Sequence, residues 1–111
     1  MEKKKYVDKV LLDEELVKSF KEDELTDNAR KTLFDMARRY SNKLQYKSVE
    51  QHEYCKEIAI SEISKHWKNF NPDHPAKRTG MAFDYFTQII KCGLAKGWKK
   101  FEKFQAESAK L

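Results

Sequence analysis

Chain breakers are scarce in this sequence, and their placement is the strongest constraint on its fold. Its 111 residues include only three Gly and two Pro, and both prolines, Pro72 and Pro75, fall in one short stretch. An all-β fold needs a turn signal about every 8–12 residues, far more than this supply provides. Long uninterrupted segments with apolar residues three and four apart read as helices. The expectation is an all-α fold, a compact bundle of about four helices. With 40% hydrophobic residues the chain can fill one modest core.

The first helix is expected over Asp13–Glu22. Asp13 would cap it, and Leu12, Leu16, Val17 and Phe20 would be its apolar stripe. The second is expected from about Thr26 to Leu44, capped by Thr26, Asp27 or Asn28, with Ala29, Leu33, Met36, Ala37, Tyr40 and Leu44 on one face. The third opens at Ser48, with Glu50 and Gln51 forming a near capping box. Its stripe is Val49, His52, Cys55, Ala59, Ile63, His66, Trp67 and Phe70, and it ends before Asn71-Pro72, because a residue before proline is pushed out of helical geometry. Residues 71–80, NPDHPAKRTG, read as a loop. The fourth helix is expected from Met81 to Phe104, lined by Phe83, Phe86, Ile89, Ile90, Leu94, Trp98, Phe101 and Phe104. Gly93 and Gly97 inside it mark either a close backbone approach or a soft middle. The expected organisation is an N-terminal extension over 1–12, a helical domain over 13–105 and a short fraying tail over 106–111.

Charge divides the chain. Residues 1–64 carry 13 Lys/Arg against 14 Asp/Glu, while residues 65–111 carry 10 against 4, so the whole net charge of +5 belongs to the C-terminal part. Such asymmetry fits an end that meets a polyanion, or simply a solvated basic face. Lys96, Lys99, Lys100 and Lys103 follow steps of three and four and would form a stripe on a helix. Aromatics interleave the lysines from Trp67 to Phe104. Most must be core, and the candidates for exposure are Tyr85 and one or two of Phe83, Phe86 and Trp98. Unpaired bases stack on such rings for about 1–3 kcal/mol each.

Enzyme chemistry has no foothold in the pattern. His52, His66 and His74 lack HExxH spacing, and Cys55 and Cys92 do not lie at zinc-finger spacing from them. There is no phosphate-cradling Gly loop and no GxSxG. The expectation is no enzyme, no metal and no cofactor. The two cysteines read as small core or half-buried side chains, and His66 as a half-buried core residue beside Trp67. No apolar run reaches the roughly 18 residues of a membrane span. The start, from Met1 to Tyr6, has no apolar stretch of a signal peptide. A cytoplasmic protein without a membrane partner is expected.

The block from Tyr54 to Lys100 resembles region 2 of bacterial sigma factors. The likeness rests on Asn69-Phe70-Asn71-Pro72, which ends one helix and opens a short loop. It continues in Ala82-Phe83-Asp84-Tyr85-Phe86-Thr87-Gln88-Ile89-Ile90, which opens the next helix. The nearest look is to the late sigma factors of T-even-type bacteriophages, and it extends upstream to Lys5-Tyr6 and Glu15-Leu16. The resemblance implies a phage-encoded minimal sigma factor acting in the cytoplasm of an infected bacterium. Its third helix would dock on the clamp helices of the largest subunit of core RNA polymerase through Glu57, Ile58, Ile60, Ser61 and Ser64. Its last helix and the preceding loop would read and melt an AT-rich minus-ten-type promoter element. The implied promoter contacts are Phe83, Tyr85, Gln88, Lys91, Cys92 and Ala95. Lys96, Lys99 and Lys100 would meet phosphates, and Lys77 and Arg78 the displaced strand. Ile60 lies off the main stripe, so it should be either an exposed Ile awaiting a partner or packed under the N-terminal helix.

The chain departs from the family in three places. Gln88 and Ile89 stand about where housekeeping sigma factors carry a tryptophan pair, and a small or polar residue replaces the base-reading side chain near Cys92. Ala106 to Leu111 does not resemble the sliding-clamp-binding tail of T-even late factors, so the alternatives are that the protein depends on a separate phage co-activator, with a sliding clamp as the other candidate partner, or that it works without one. Two rival readings stand beside this one: a regulator or inhibitor occupying the sigma site on polymerase, and a simple double-stranded DNA binder.

Overall fold

The computed structural model describes residues 8–70 and 80–109, with side chains through Glu107. Among these residues there are four α-helices and no strand: α1 (Lys9–Glu22), α2 (Asp27–Ser41), α3 (Val49–His66) and α4 (Met81–Ala109), with a 3-10 turn, Trp67–Asn69, extending α3. The α3–α4 pair forms the largest interface, and α1 and α2 pack across it. The fold is the expected all-α bundle.

Helix α1 starts at Lys9, earlier than expected, because Asp8 caps it. The Asp8 carboxylate accepts from the Val10 and Leu11 N–H groups at 3.0 and 3.2 Å. Asp13 is therefore not the α1 cap. Leu12 is buried, so the helical body begins ahead of residue 13. Asp23, in the left-handed region at φ 58°, closes α1, and its N–H returns to the Phe20 carbonyl. Ser19 and Thr26 stitch the α1–α2 corner. The Ser19 hydroxyl donates to the Glu15 carbonyl at 2.8 Å and accepts from the Thr26 N–H at 3.0 Å. Thr26 proves to be the α2 cap: its hydroxyl accepts from the Ala29 N–H at 3.1 Å and donates to the Glu15 carboxylate at 2.7 Å.

Helix α2 stops at Ser41, short of Leu44, which is left 45% exposed and is not on the inner face. The Ser41 hydroxyl turns back to the Arg38 carbonyl at 2.7 Å and also meets His52 Nε2 at 3.1 Å. Ser48 caps α3 by accepting from the Gln51 N–H at 3.1 Å. The buried Gln51 side chain returns to the Lys47 N–H at 2.7 Å, so the box closes one residue ahead of the cap. Val49 is 74% exposed and leaves the expected stripe. It lies about 1.7 turns before Cys55, which rotates it off the inward line. The regular helix gives way at Trp67 to the 3-10 turn, and Phe70 folds back into the core.

The expected loop is represented by Gly80, whose φ of +89° needs a glycine. Gly80 has no side chain with which to cap α4, and α1 supplies the acceptor. The Asp13 carboxylate takes the Gly80 N–H at 2.8 Å and the Ala82 N–H at 3.0 Å. The carboxylate thus sits at the positive end of the α4 dipole. Helix α4 does not stop at Phe104 but continues to Ala109, so residues 106–109 of the expected fraying tail are helical. Lys103 to Glu107 are all exposed, and Phe104 meets Tyr54 edge-on at 6.2 Å instead of entering the core.

The two glycines of α4 mark a close approach, the first of the two expected alternatives. A Cβ on Gly93 would stand 2.7 Å from the Ala59 Cα, and one on Gly97 would stand 2.9 Å from the Cys55 Cα. Small residues one turn apart on both helices let the α3 and α4 backbones touch. Phe86, Ile90 and Leu94 on α4 then fill the space toward Leu16, Leu33 and Ile63 in the shared core.

Candidate nucleic-acid interface

The outer side of α4 carries most of the residues expected to face DNA. Gln88, Lys91, Cys92, Ala95 and Lys99 are all exposed, and steps of three and four place them along one line of the helix. From Tyr85 to Phe101 the helix bears four lysines and no carboxylate. Two of these lysines, Lys91 and Lys99, lie on the exposed line, and the opposite side of the helix is locked into the core. Lys77 and Arg78, with His74, lie outside the described residues.

Lys96 stands apart from that line. Its ammonium donates to the Glu62 carboxylate of α3 at 2.8 Å, and His66 Nε2 lies 3.0 Å from the other Glu62 oxygen. Glu62 is only 9% exposed. The Lys96 hydrogen bond, reinforced by the nearby positive charges, holds its carboxyl below the usual carboxylate range against the opposing effect of burial. All four lysines of the expected stripe, Lys96, Lys99, Lys100 and Lys103, are exposed, but Lys96 is set apart by its bond across to α3. Glu62 was not singled out in the sequence. Its partner lies on another helix, a pairing that spacing along the chain does not reveal.

The aromatic residues sit deeper than expected. Phe86 is fully buried and is not a candidate for exposure. Tyr85 is half-buried, with its ring 5.3 Å from Phe70 and 5.2 Å from Phe86, and its hydroxyl donates to the His66 carbonyl at 3.2 Å. Burial pushes that hydroxyl's pKa up. Phe83 is half-buried, with the Lys9 ammonium 4.7 Å from its ring centroid. Trp98 is half-buried against Tyr46 at 5.7 Å.

On α3, Glu57 and Ser64 are exposed, and Ile60 and Ser61 are half-buried. Their spacing puts these four on one side of the helix. Ile60 is packed against the chain's own core. Ile58 belongs to a different side, beside Gly97 of α4, where a Cβ on the glycine would come within 3.3 Å of the Ile58 Cβ. The structure thus gathers four of the five residues expected to meet polymerase and separates the fifth. Cys55 is buried and its thiol pKa is pushed up by that burial, whereas Cys92 is exposed. His66 is half-buried, as expected. No three His, Cys, Asp or Glu side chains converge among the described residues. No described helix is long and apolar enough to cross a membrane.

Comparisons with protein families, with curated proteins and with solved structures find no match for this chain.

Proposed function

We propose that this protein is a phage-encoded minimal sigma-like factor that joins bacterial core RNA polymerase to promoter DNA for late viral transcription. The observation that carries the reading is the outer line of α4, Gln88, Lys91, Cys92, Ala95 and Lys99, exposed and free of carboxylates. Two features add to it. The net positive charge of the chain comes entirely from its C-terminal part. The side of α3 bearing Glu57, Ile60, Ser61 and Ser64 also offers a second, separate contact area for the polymerase clamp helices. Lysines on such a helix neutralise phosphates, so DNA affinity of the free protein is weak and falls steeply with salt. Polymerase contact supplies the remaining affinity. The site of action is the infected host cytoplasm, and a co-activator or sliding clamp is a further partner in this reading.

A second reading, a plain duplex DNA binder, draws on a specific observation. The Tyr85 ring is packed between Phe70 and Phe86 with its hydroxyl bonded, and Lys9 lies over Phe83. Rings held in this way suit a helix that touches DNA through its outer line more than one that captures unpaired bases. The deciding experiment is transcription in vitro with bacterial core polymerase on AT-rich templates, with and without the protein. Discrete new starts support the sigma reading, and Tyr85→Ala should reduce promoter opening. Binding to duplex without core polymerase and without new starts favours the second reading. Loss of host sigma-dependent transcription without new starts identifies an inhibitor.

A further inference from the structure

A groove of about 410 Å³ lies between the end of α2, with the residues that follow it, and the middle of α4. Its walls are Tyr40, Leu44 and Gln45 on one side and Lys91, Leu94, Ala95 and Trp98 on the other, and no carboxylate lines it among the described residues. Leu44 is 45% exposed, a large apolar side chain left at the groove edge. The ammonium groups of Lys43 and Lys91 stand 5.3 and 5.7 Å from the Tyr40 ring centroid. Neither lysine has a carboxylate partner among the described residues.

The geometry points to a docking site for a short acidic protein segment that places apolar anchors in this groove. Charge complementarity selects the occupant: an apolar floor flanked by two lysines without counter-ions favours a segment in which Asp or Glu flanks its apolar residues. Length sets the form. From Lys91 to Trp98 the α4 wall runs about 10 Å, or two helical turns, which accommodates two anchors one turn apart on a partner helix. A nucleobase fits less well. Two ammonium groups already approach the Tyr40 ring, Trp98 leans on Tyr46, and apart from Gln45 and Lys91 the remaining walls are aliphatic. Lys91 and Ala95 also belong to the outer line of α4, so an occupied groove covers part of that line. The docking itself requires neither polymerase nor promoter, and its test is independent of the proposed function.

The test is selection of displayed random peptides, about four helical turns long, on the full chain, with counter-selection on the double variant Lys43→Glu/Leu44→Ser. Both positions are exposed, and an unchanged thermal midpoint verifies that the variant is folded. The expected peptides carry two apolar residues a turn apart beside Asp or Glu. They alter Trp98 emission and bind the double variant at least about tenfold more weakly. Enriched peptides without acidic residues, or equal binding to both proteins, would overturn the proposal. So would a single-stranded oligothymidylate that binds in place of the peptides and loses affinity in the double variant, since it would assign the groove to nucleic acid.

Discussion

Substituting Gly93 with Ala tests the contact on which the α3–α4 pair depends. In a solvated helix the change would stabilise by up to about 1 kcal/mol, because Ala loses less backbone freedom on folding. Here the new Cβ would stand 2.7 Å from the Ala59 Cα, and ordinary contact begins at 3.4 Å, so the helices must separate locally by about 0.7 Å. A gap of that size forfeits about a quarter to a half of the attraction in each contact it opens. The obstructing atom is backbone and cannot swing aside, which places the cost toward the upper end of the usual ~1–3 kcal/mol for overpacking. The expected net loss is about 1–2 kcal/mol, and each kcal/mol lowers the melting temperature of a chain this size by roughly 4–8 °C. Urea unfolding followed by far-ultraviolet circular dichroism gives the free energy directly. Adding Ala59→Gly should not rescue the variant, since the 2.7 Å contact is with the Cα and the Ala59 Cβ is 3.3 Å away. A Gly93→Ala protein as stable as the parent, or more stable, would refute the close backbone contact.

Four further outcomes follow from contacts elsewhere. Asp13→Ala removes the acceptor for the Gly80 and Ala82 N–H groups; it should cost about 1–2 kcal/mol and speed hydrogen exchange at the start of α4, with Asp13→Asn milder. The Tyr46 hydroxyl is buried without a hydrogen-bond partner among the described residues, and burial pushes its pKa up to about 12. Tyr46→Phe should therefore leave stability unchanged or raise it by about 1 kcal/mol, and a clear loss in urea unfolding would reveal a missing partner. Glu62 has a lowered pKa in the folded chain, with its bond to Lys96 the first cause. Its stabilising contribution is present above the unfolded carboxylate value of about 4.3 and is lost as the pH falls through the lower folded value, so the stability gap between the parent and Glu62→Gln should narrow in that acid range. Finally, Lys91→Ala and Lys99→Ala should each reduce the slope of log affinity for duplex DNA against log salt by about 0.9, whereas Lys96→Ala should act mainly on stability by leaving Glu62 without its lysine.

The helices were legible because their inner faces repeat at three and four residues and because Thr26 and Ser48 stand where caps are needed. What escaped the sequence depended on partners far along the chain. Asp13 looks like a local cap and serves a helix that begins beyond residue 80; a helix starting just after a glycine, without a capping side chain of its own, was the available signal. Lys96 belongs by spacing to the lysine stripe and is drawn to Glu62 across the helix interface. Leu44 and Phe104 continue their apolar stripes in sequence but are left exposed, because α2 stops at Ser41 and α4 emerges from the bundle. Aromatic spacing did not distinguish rings that face solvent from rings such as Phe86 that fill the core. That distinction depends on which side of α4 the glycines fix against α3.

That fixation also determines how the outer line of α4 must be studied. Successive residues on an α-helix are about 100° apart, so a rotation of α4 by one position would replace the Gly93 contact with a larger side chain against the Ala59 backbone. Rotation is therefore blocked by the same contact that makes the bundle compact, and Asp13 fixes the axial position of the helix from the other end. The directions of Gln88, Lys91, Ala95 and Lys99 follow from these inner constraints. A substitution at Gly93, Gly97 or Asp13 can thus weaken DNA binding without any of these residues touching DNA. Only substitutions on the exposed line whose unfolding free energy matches the parent report on recognition itself, and Lys91 and Lys99, with no carboxylate partner among the described residues, meet that condition where Lys96 does not.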